Sequence, residues 1–243
     1  MNNTDVTFVT AFIVNVNKTK SLEKYIELGK TYLQTEINKV VFMDETIIHE
    51  FDYLMNKKTH IIPFKKVDNY LYNYIDKIDK FELNTPSPEK DTLDYMFIMC
   101  NKTEWLRKAI EINIYNSNQF IWTDFGIRHV FSQSDEEFTN KMERLNQLQY
   151  DKIRIGSIWN LDKFYLYNPY RDISWYFAGG VFGGSSEVLI KFADLMKDMC
   201  IEIIETHGTI MWEVNIWRFI YLNNRDLFSP YYCDHNNSII DNY

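Results

Sequence analysis

Apolar positions along this chain recur with two periods, and their alternation predicts a series of strands and helices. Val6 to Val14 (VTFVTAFIV) is β-branched and aromatic, as in a buried strand. After it, SLEKYIELGKTYL sets Leu22, Tyr25, Ile26, Leu28, Tyr32 and Leu33 near helical spacing. Lys39 to Met43 (KVVFM) and His60 to Phe64 (HIIPF) are further short apolar runs. Between them, ETIIHEFDYLM places Ile47, Ile48, Phe51, Leu54 and Met55 on one helical stripe. Leu83 to Asp91 (LNTPSPEKD) reads as a loop around its two prolines, and TEWLRKAIEINIY as a helix with Thr103 as its N-cap. Gln119 to Thr123 (QFIWT) is the next strand. Ser134, three residues before Glu137, forms a capping box ahead of an amphipathic helix.

Beyond that helix, KIRIGSIW alternates as a half-exposed strand, and FYLYNPY around Pro169 is irregular. SWYFAGGVFGG reads as a strand and tight turn, followed by a long helix from Ser186 to Thr206 that Gly208 ends. MWEVNIWRFIYL is a last helix before a polar tail. Strands alternating with helices favour a parallel sheet with crossover helices, and a length of 243 residues points to one α/β unit spanning the chain.

Charge narrows the function. Subtracting 34 acidic from 26 basic side chains leaves −8, which disfavours non-specific attraction to nucleic acid or an anionic membrane. Cys100, Cys200 and Cys233 lie far apart without a metal-binding spacing, so reduced, buried thiols are expected. The MNNTD start lacks the basic flank of a signal peptide, and no apolar run reaches the ~20 residues of a spanning helix. A cytoplasmic location is therefore expected.

Four features carry candidate chemistry. Asp124 follows the QFIWT strand directly, at the carboxyl edge where open α/β sheets bind ligands. It either holds Mg²⁺ or Mn²⁺ against a diphosphate or caps the next turn beside Gly126. The same strand-end logic places Thr10 and Ala11 near a bound nucleoside. In FAGGVFGG, Gly179 and Gly180 either shape a turn or let backbone approach a substrate closely. Glu213 lies between Trp212 and Val214, too apolar a stretch for a solvated face. It either meets a polar ligand or pairs with Arg218, while the tryptophans fill core. Lys102, Arg107 and Lys108 either neutralise phosphates or form a solvated helix face. Asp234 and His235 are a late polar pair.

The segments VTAF, FMDE, NKTEWLRKAI through NQFIWTDFGI, FAGGVFGG and MWEVN together resemble the HtrL/YibB-like family, which includes WlaTC-type glycosyltransferases. The resemblance spans nearly the whole chain. It implies a single-domain, GT-A-like (Rossmann-like) nucleotide-sugar-binding fold with a central mixed, mostly parallel sheet and a metal-binding DxD after a central strand. Here Gly126 replaces the second carboxylate of that motif. More remotely, Tyr176 and Phe177, the FGG of Phe182 to Gly184, and Trp212 with Glu213 resemble the blood-group-type retaining galactosyl- and N-acetylgalactosaminyltransferases. That resemblance implies Glu213 and Trp212 against the reacting sugar, with Gly179 and Gly180 lining it.

The implied activity is transfer of a sugar from a nucleoside diphosphate sugar, a UDP-sugar in the first instance, to a glycan or glycoconjugate. Lys102 would neutralise phosphate, while Asp124 and His235 would hold Mn²⁺ or Mg²⁺. The rival reading is a nucleotide- or carbohydrate-binding protein on the same fold without turnover. A nucleotidyltransferase ranks last because VTAFIVNVNKTK has no glycine for a phosphate loop.

Overall fold

The computed structural model describes residues 6–14 and 21–243, and a single seven-stranded sheet organises it. The readings of the MNNTD start and of the loop after Val14 fall on residues 1–5 and 15–20, outside those described. The strands are β1 (Val6–Phe12), β2 (Lys39–Asp44), β3 (Thr59–Phe64), β4 (Gln119–Thr123), β5 (Ile153–Ser157), β6 (Phe177–Ser185) and β7 (Phe228–Tyr232). Their order across the sheet is β3-β2-β1-β4-β6-β5-β7. Four of the six pairings are parallel, and only β6 runs against its neighbours β4 and β5. This is the mixed, mostly parallel α/β sheet expected of the chain.

Among the described residues seven α-helices cover the two faces: α1 (Leu22–Gln34), α2 (Leu93–Cys100), α3 (Lys102–Ile112), α4 (Asp135–Leu145), α5 (Ser186–His207), α6 (Glu213–Asn223) and α7 (Ser238–Asp241). Alternation along β1 shows how the sheet divides the core. Val9 and Ala11 face the cluster built by α2, α3, α5 and α6, whereas Val6, Phe8 and Phe12 face the side of α1 and α4. Ser134 accepts from the Glu137 N–H and Glu137 from the Ser134 N–H, so the capping box forms. Gly208 ends α5 in the left-handed conformation, φ 64°. Among the described residues, no helix is long and apolar enough to cross a membrane.

Four local expectations give way to tertiary structure. ETIIHEFDYLM forms two 3₁₀ turns, Ile48–Glu50 and Asp52–Leu54, rather than an α-helix. The Asp44 carboxylate takes the N–H groups of Thr46 and Val14, bending the chain directly after β2. Burial of Ile47, Phe51 and Leu54 keeps the apolar stripe without the helix. FAGGVFGG is not a turn but the uninterrupted strand β6, and its glycines make room for neighbours. A Cβ on Gly183 would lie 2.4 Å from the Tyr243 hydroxyl and 2.5 Å from the Phe120 carbonyl oxygen. β5 is almost wholly buried because both its faces are covered: Ile153 and Ile155 pack in the core cluster of α2, α3, α5 and α6, and Gly156 lies against Cys233 and Ala178 on the other side. Thr103 does not cap α3. Asn101 alone separates α2 from α3, which puts Thr103 inside the helix with its hydroxyl buried and unpartnered. α2, β7 and α7 have apolar runs too short or too uniform to show a period, so the sequence pattern does not mark them.

Candidate active site

The one-residue break at Asn101 turns Lys102, the first residue of α3, into the protein interior, where it is 1% exposed. Its ammonium donates to Glu213 Oε1 at 2.8 Å and to the Gly179 carbonyl at 3.0 Å, and lies 3.0 Å from Asp124 Oδ1. These three acceptors use all three ammonium donors. Burial by itself would push this amine down, but the Asp124 and Glu213 carboxylates outweigh burial and hold it well above its ordinary value. Asp124 Oδ1 also accepts from the Trp122 indole at 2.8 Å, and the Asp124 N–H donates to the Gly180 carbonyl at 2.9 Å. Glu213 opens α6, where the positive end of the helix dipole favours a carboxylate.

Gly179 fits because it has no side chain. A Cβ there would lie 2.6 Å from Glu213 Oε1 and 3.3 Å from Lys102 Nζ. Gly179→Ala is therefore expected to displace Glu213 and cost ~1–3 kcal/mol of stability through overpacking. A urea unfolding curve matching wild type would show that strand β6 yields freely.

Beside this array lies a cavity of about 390 Å³ whose lining includes Ala11, Tyr25, Lys90, Tyr95, Asp124 and His129. One wall is aromatic: Phe12 stacks on Phe125 at 4.9 Å and 11°, with Tyr25 4.8 Å from Phe12. Lys90 comes from the proline-containing loop and sits 5.1 Å over the Tyr95 ring and 3.3 Å from Asp91 Oδ1. A larger, more open cleft of about 630 Å³ between α1 and the segment around Asp135 shares His129 with this cavity but holds none of the residues singled out from the sequence.

The structure sorts the residues singled out from the sequence. Asp124, Lys102, Glu213, Gly179 and Gly180 converge, and Ala11 lines the cavity. Thr10 does not, being fully buried with an unpartnered hydroxyl. Trp212 belongs to the apolar core, 4% exposed. Glu213 pairs with Lys102 rather than Arg218. Lys102 is a counter-ion with no donor left for phosphate, whereas Arg107 and Lys108 pair with acids on or beside their own helix. His235 packs edge-on against Trp175 at 4.1 Å and is not part of the cavity lining. Burial pushes its imidazole below the ordinary value. Lys90 and Tyr95 went unread because a loop lysine and a helix tyrosine carry no spacing signal.

The donor set does not fit a resident divalent cation. No group of three or more His, Cys, Asp or Glu among the described residues is arranged to hold one. Among the described residues, Asp124 is the only acid in the cavity lining, and its Oδ1 already faces two donors.

No protein-family model matches the chain. No curated protein matches it in sequence. Solved structures resemble it distantly. Mouse xyloside xylosyltransferase 1 in its apo form has TM-score 0.45 at 10% identity, covering 93% of this chain and 84% of that one. The 4-diphosphocytidyl-2C-methyl-D-erythritol synthase of Anaerococcus prevotii has TM-score 0.46 at 8% identity, covering 95% and 87%. Rv0371c of Mycobacterium tuberculosis, in complex with manganese, has TM-score 0.44 at 6% identity, covering 95% and 88%. Similarity at this level assigns no activity to the chain.

Proposed function

We propose that the protein is a glycosyltransferase that moves a sugar from a nucleoside diphosphate donor, a UDP-sugar first among them, to a glycan or glycoconjugate acceptor. The observation that carries this reading is the convergence of Asp124, Lys102, Glu213 and Gly179 at the carboxyl edge of the sheet, beside an aromatic-walled cavity. WTDFGI and FAGGVFGG, the most specific motifs of the HtrL/YibB-like resemblance, both contribute to that edge.

Each residue then has a task. The Phe12, Tyr25 and Phe125 rings offer the nucleoside an apolar, stacking wall. Lys90 and His129 face the cavity beside Asp124, and the Lys90 ammonium offsets negative charge growing on the departing diphosphate. Gly179 leaves room for the Glu213 carboxylate and the Lys102 ammonium, and Gly180 lets Ile127 and Asp124 close in beside them. Glu213 directs negative charge toward the reacting carbon, and Lys102 fixes the positions of both carboxylates. The test is incubation with a panel of nucleotide sugars and glycan acceptors, following release of nucleoside diphosphate. Tight nucleotide binding with no release under any pairing would favour a non-catalytic binding protein on this fold.

Asp124 leaves only one oxygen uncommitted. Affinity for a nucleoside diphosphate is accordingly expected to change less than ~3-fold when Mn²⁺ is replaced by EDTA, under about 0.7 kcal/mol by calorimetry. A tenfold or greater loss in EDTA would return a cation to the site.

A further inference from the structure

A second buried cation stands near the array without taking part in it. Arg218 on α6 is 7% exposed. Among the described residues it has no hydrogen-bond or carboxylate partner, and its Nη1 is fully buried and unsatisfied. Its guanidinium instead lies 4.0 Å over the Tyr176 ring and 5.5 Å from that of Tyr221. Stacking on tyrosine offsets part of the desolvation but offers nothing in the ring plane, where a guanidinium presents its N–H donors. A buried charge left in this way is costly unless a partner of opposite sign completes it.

The place of Arg218 suggests what that partner is. Tyr176 directly precedes β6, so it stands at the same carboxyl edge as Gly179 and Gly180. The nucleoside-type cavity spreads over β1 and β4, whereas Tyr176 belongs to the β5–β6 side, where Trp159, Tyr165 and Tyr167 pack around it at 5.4, 5.7 and 6.2 Å. Arg218 follows Glu213 by five residues, about 7.5 Å along the helix axis. The connection from β5 to β6 that carries these rings is pinned to α6 by the fully buried Asn215. Its Oδ1 accepts from the Ser174 N–H and hydroxyl at 2.8 and 2.7 Å, and its Nδ2 donates to the Pro169 and Asp172 carbonyls at 2.8 and 2.7 Å. The connection thereby holds a fixed position while Phe164 and Leu166, 86% and 97% exposed, project from it.

We infer that Arg218, seated on Tyr176, is the anion-recognising element of an acceptor subsite, and that the acceptor is a sugar bearing a carboxylate or phosphate. The oxyanion completes the guanidinium through paired N–H···O bonds, and the surrounding rings take the apolar face of the sugar ring. The inference rests on the glycosyltransferase reading, but its test needs no turnover.

Glucose, glucuronate and glucose 6-phosphate are titrated separately into the full chain by saturation-transfer NMR, without donor. The expected result is at least ~10-fold tighter binding of one or both charged sugars than of glucose, with the glucuronate and phosphate arms telling the two anion sources apart. Arg218→Gln is expected to abolish that preference and Arg218→Lys to retain part of it. Equal binding of all three sugars by the wild type would overturn the inference, and so would a preference that survives in folded Arg218→Gln. If Arg218→Gln fails to fold, the same titration on Lys90→Gln decides: a charged-sugar preference retained there supports Arg218, and one lost there would place the anion on Lys90 and overturn the inference. Absence of nucleoside diphosphate release in the donor panel would defeat the transferase reading alone and leave the sugar titration readable.

Discussion

Lys102→Met is expected to lower the unfolding free energy by ~3–5 kcal/mol, the usual cost of removing one partner of a buried ion pair. The substitution leaves the Asp124 and Glu213 carboxylates near one another with no cation between them, and the Glu213 side chain is only 7% exposed. Methionine keeps most of the volume, so the loss reports charge rather than a cavity. Urea denaturation measures it. The double variant Lys102→Met/Glu213→Gln is expected to recover much of the loss, because the stranded charge is then gone. A Lys102→Met midpoint equal to wild type would mean that the array contributes nothing to the fold.

The pH dependence has a defined sign. The folded amine is held above its ordinary 10.5, so its contribution is fully present below 10.5 and fades as pH rises through the higher folded value. Wild type should therefore lose stability in strong alkali through this group, and Lys102→Met should lack that component.

Glu213→Gln is expected to reduce kcat ~100-fold or more, with nucleotide affinity within ~3-fold of wild type. Glutamine preserves the volume and its amide oxygen can still accept from Lys102, while Asp124 remains as the ammonium's counter-charge. Stability should fall less than in Lys102→Met. A group that acts by negative charge at the reacting carbon loses that action when amidated, whereas a pure counter-ion for Lys102 loses only some stability. Steady-state kinetics on the best donor and acceptor pair, alongside calorimetry with the nucleotide, separate the two roles. Turnover close to wild type would leave Glu213 as the counter-ion alone.

The sequence by itself determined what depends on a few neighbouring residues. β1, β2 and β4 follow from short β-branched and aromatic runs, α1 from helical spacing, α4 from helical spacing and its Ser134 cap, and the end of α5 from Gly208. Asp124 at a strand end was legible for the same reason, since the strand and its last residue are read together. Tertiary structure decided whatever depends on partners far along the chain. ETIIHEFDYLM has helical spacing but settles into 3₁₀ turns, because Asp44 bends its start and the core takes its stripe in that form. FAGGVFGG has the composition of a turn but becomes a central strand, because β4 and β5 satisfy its backbone on both sides and its glycines admit side chains from elsewhere. Lys102 reads locally as one of three helix cations, and nothing nearby distinguishes it from Arg107 or Lys108. Its role comes from Glu213, 111 residues away, and from Asp124 and Gly179. A buried charge takes its meaning from the opposite charges that surround it, and at such separations only the folded sheet brings them within 3 Å.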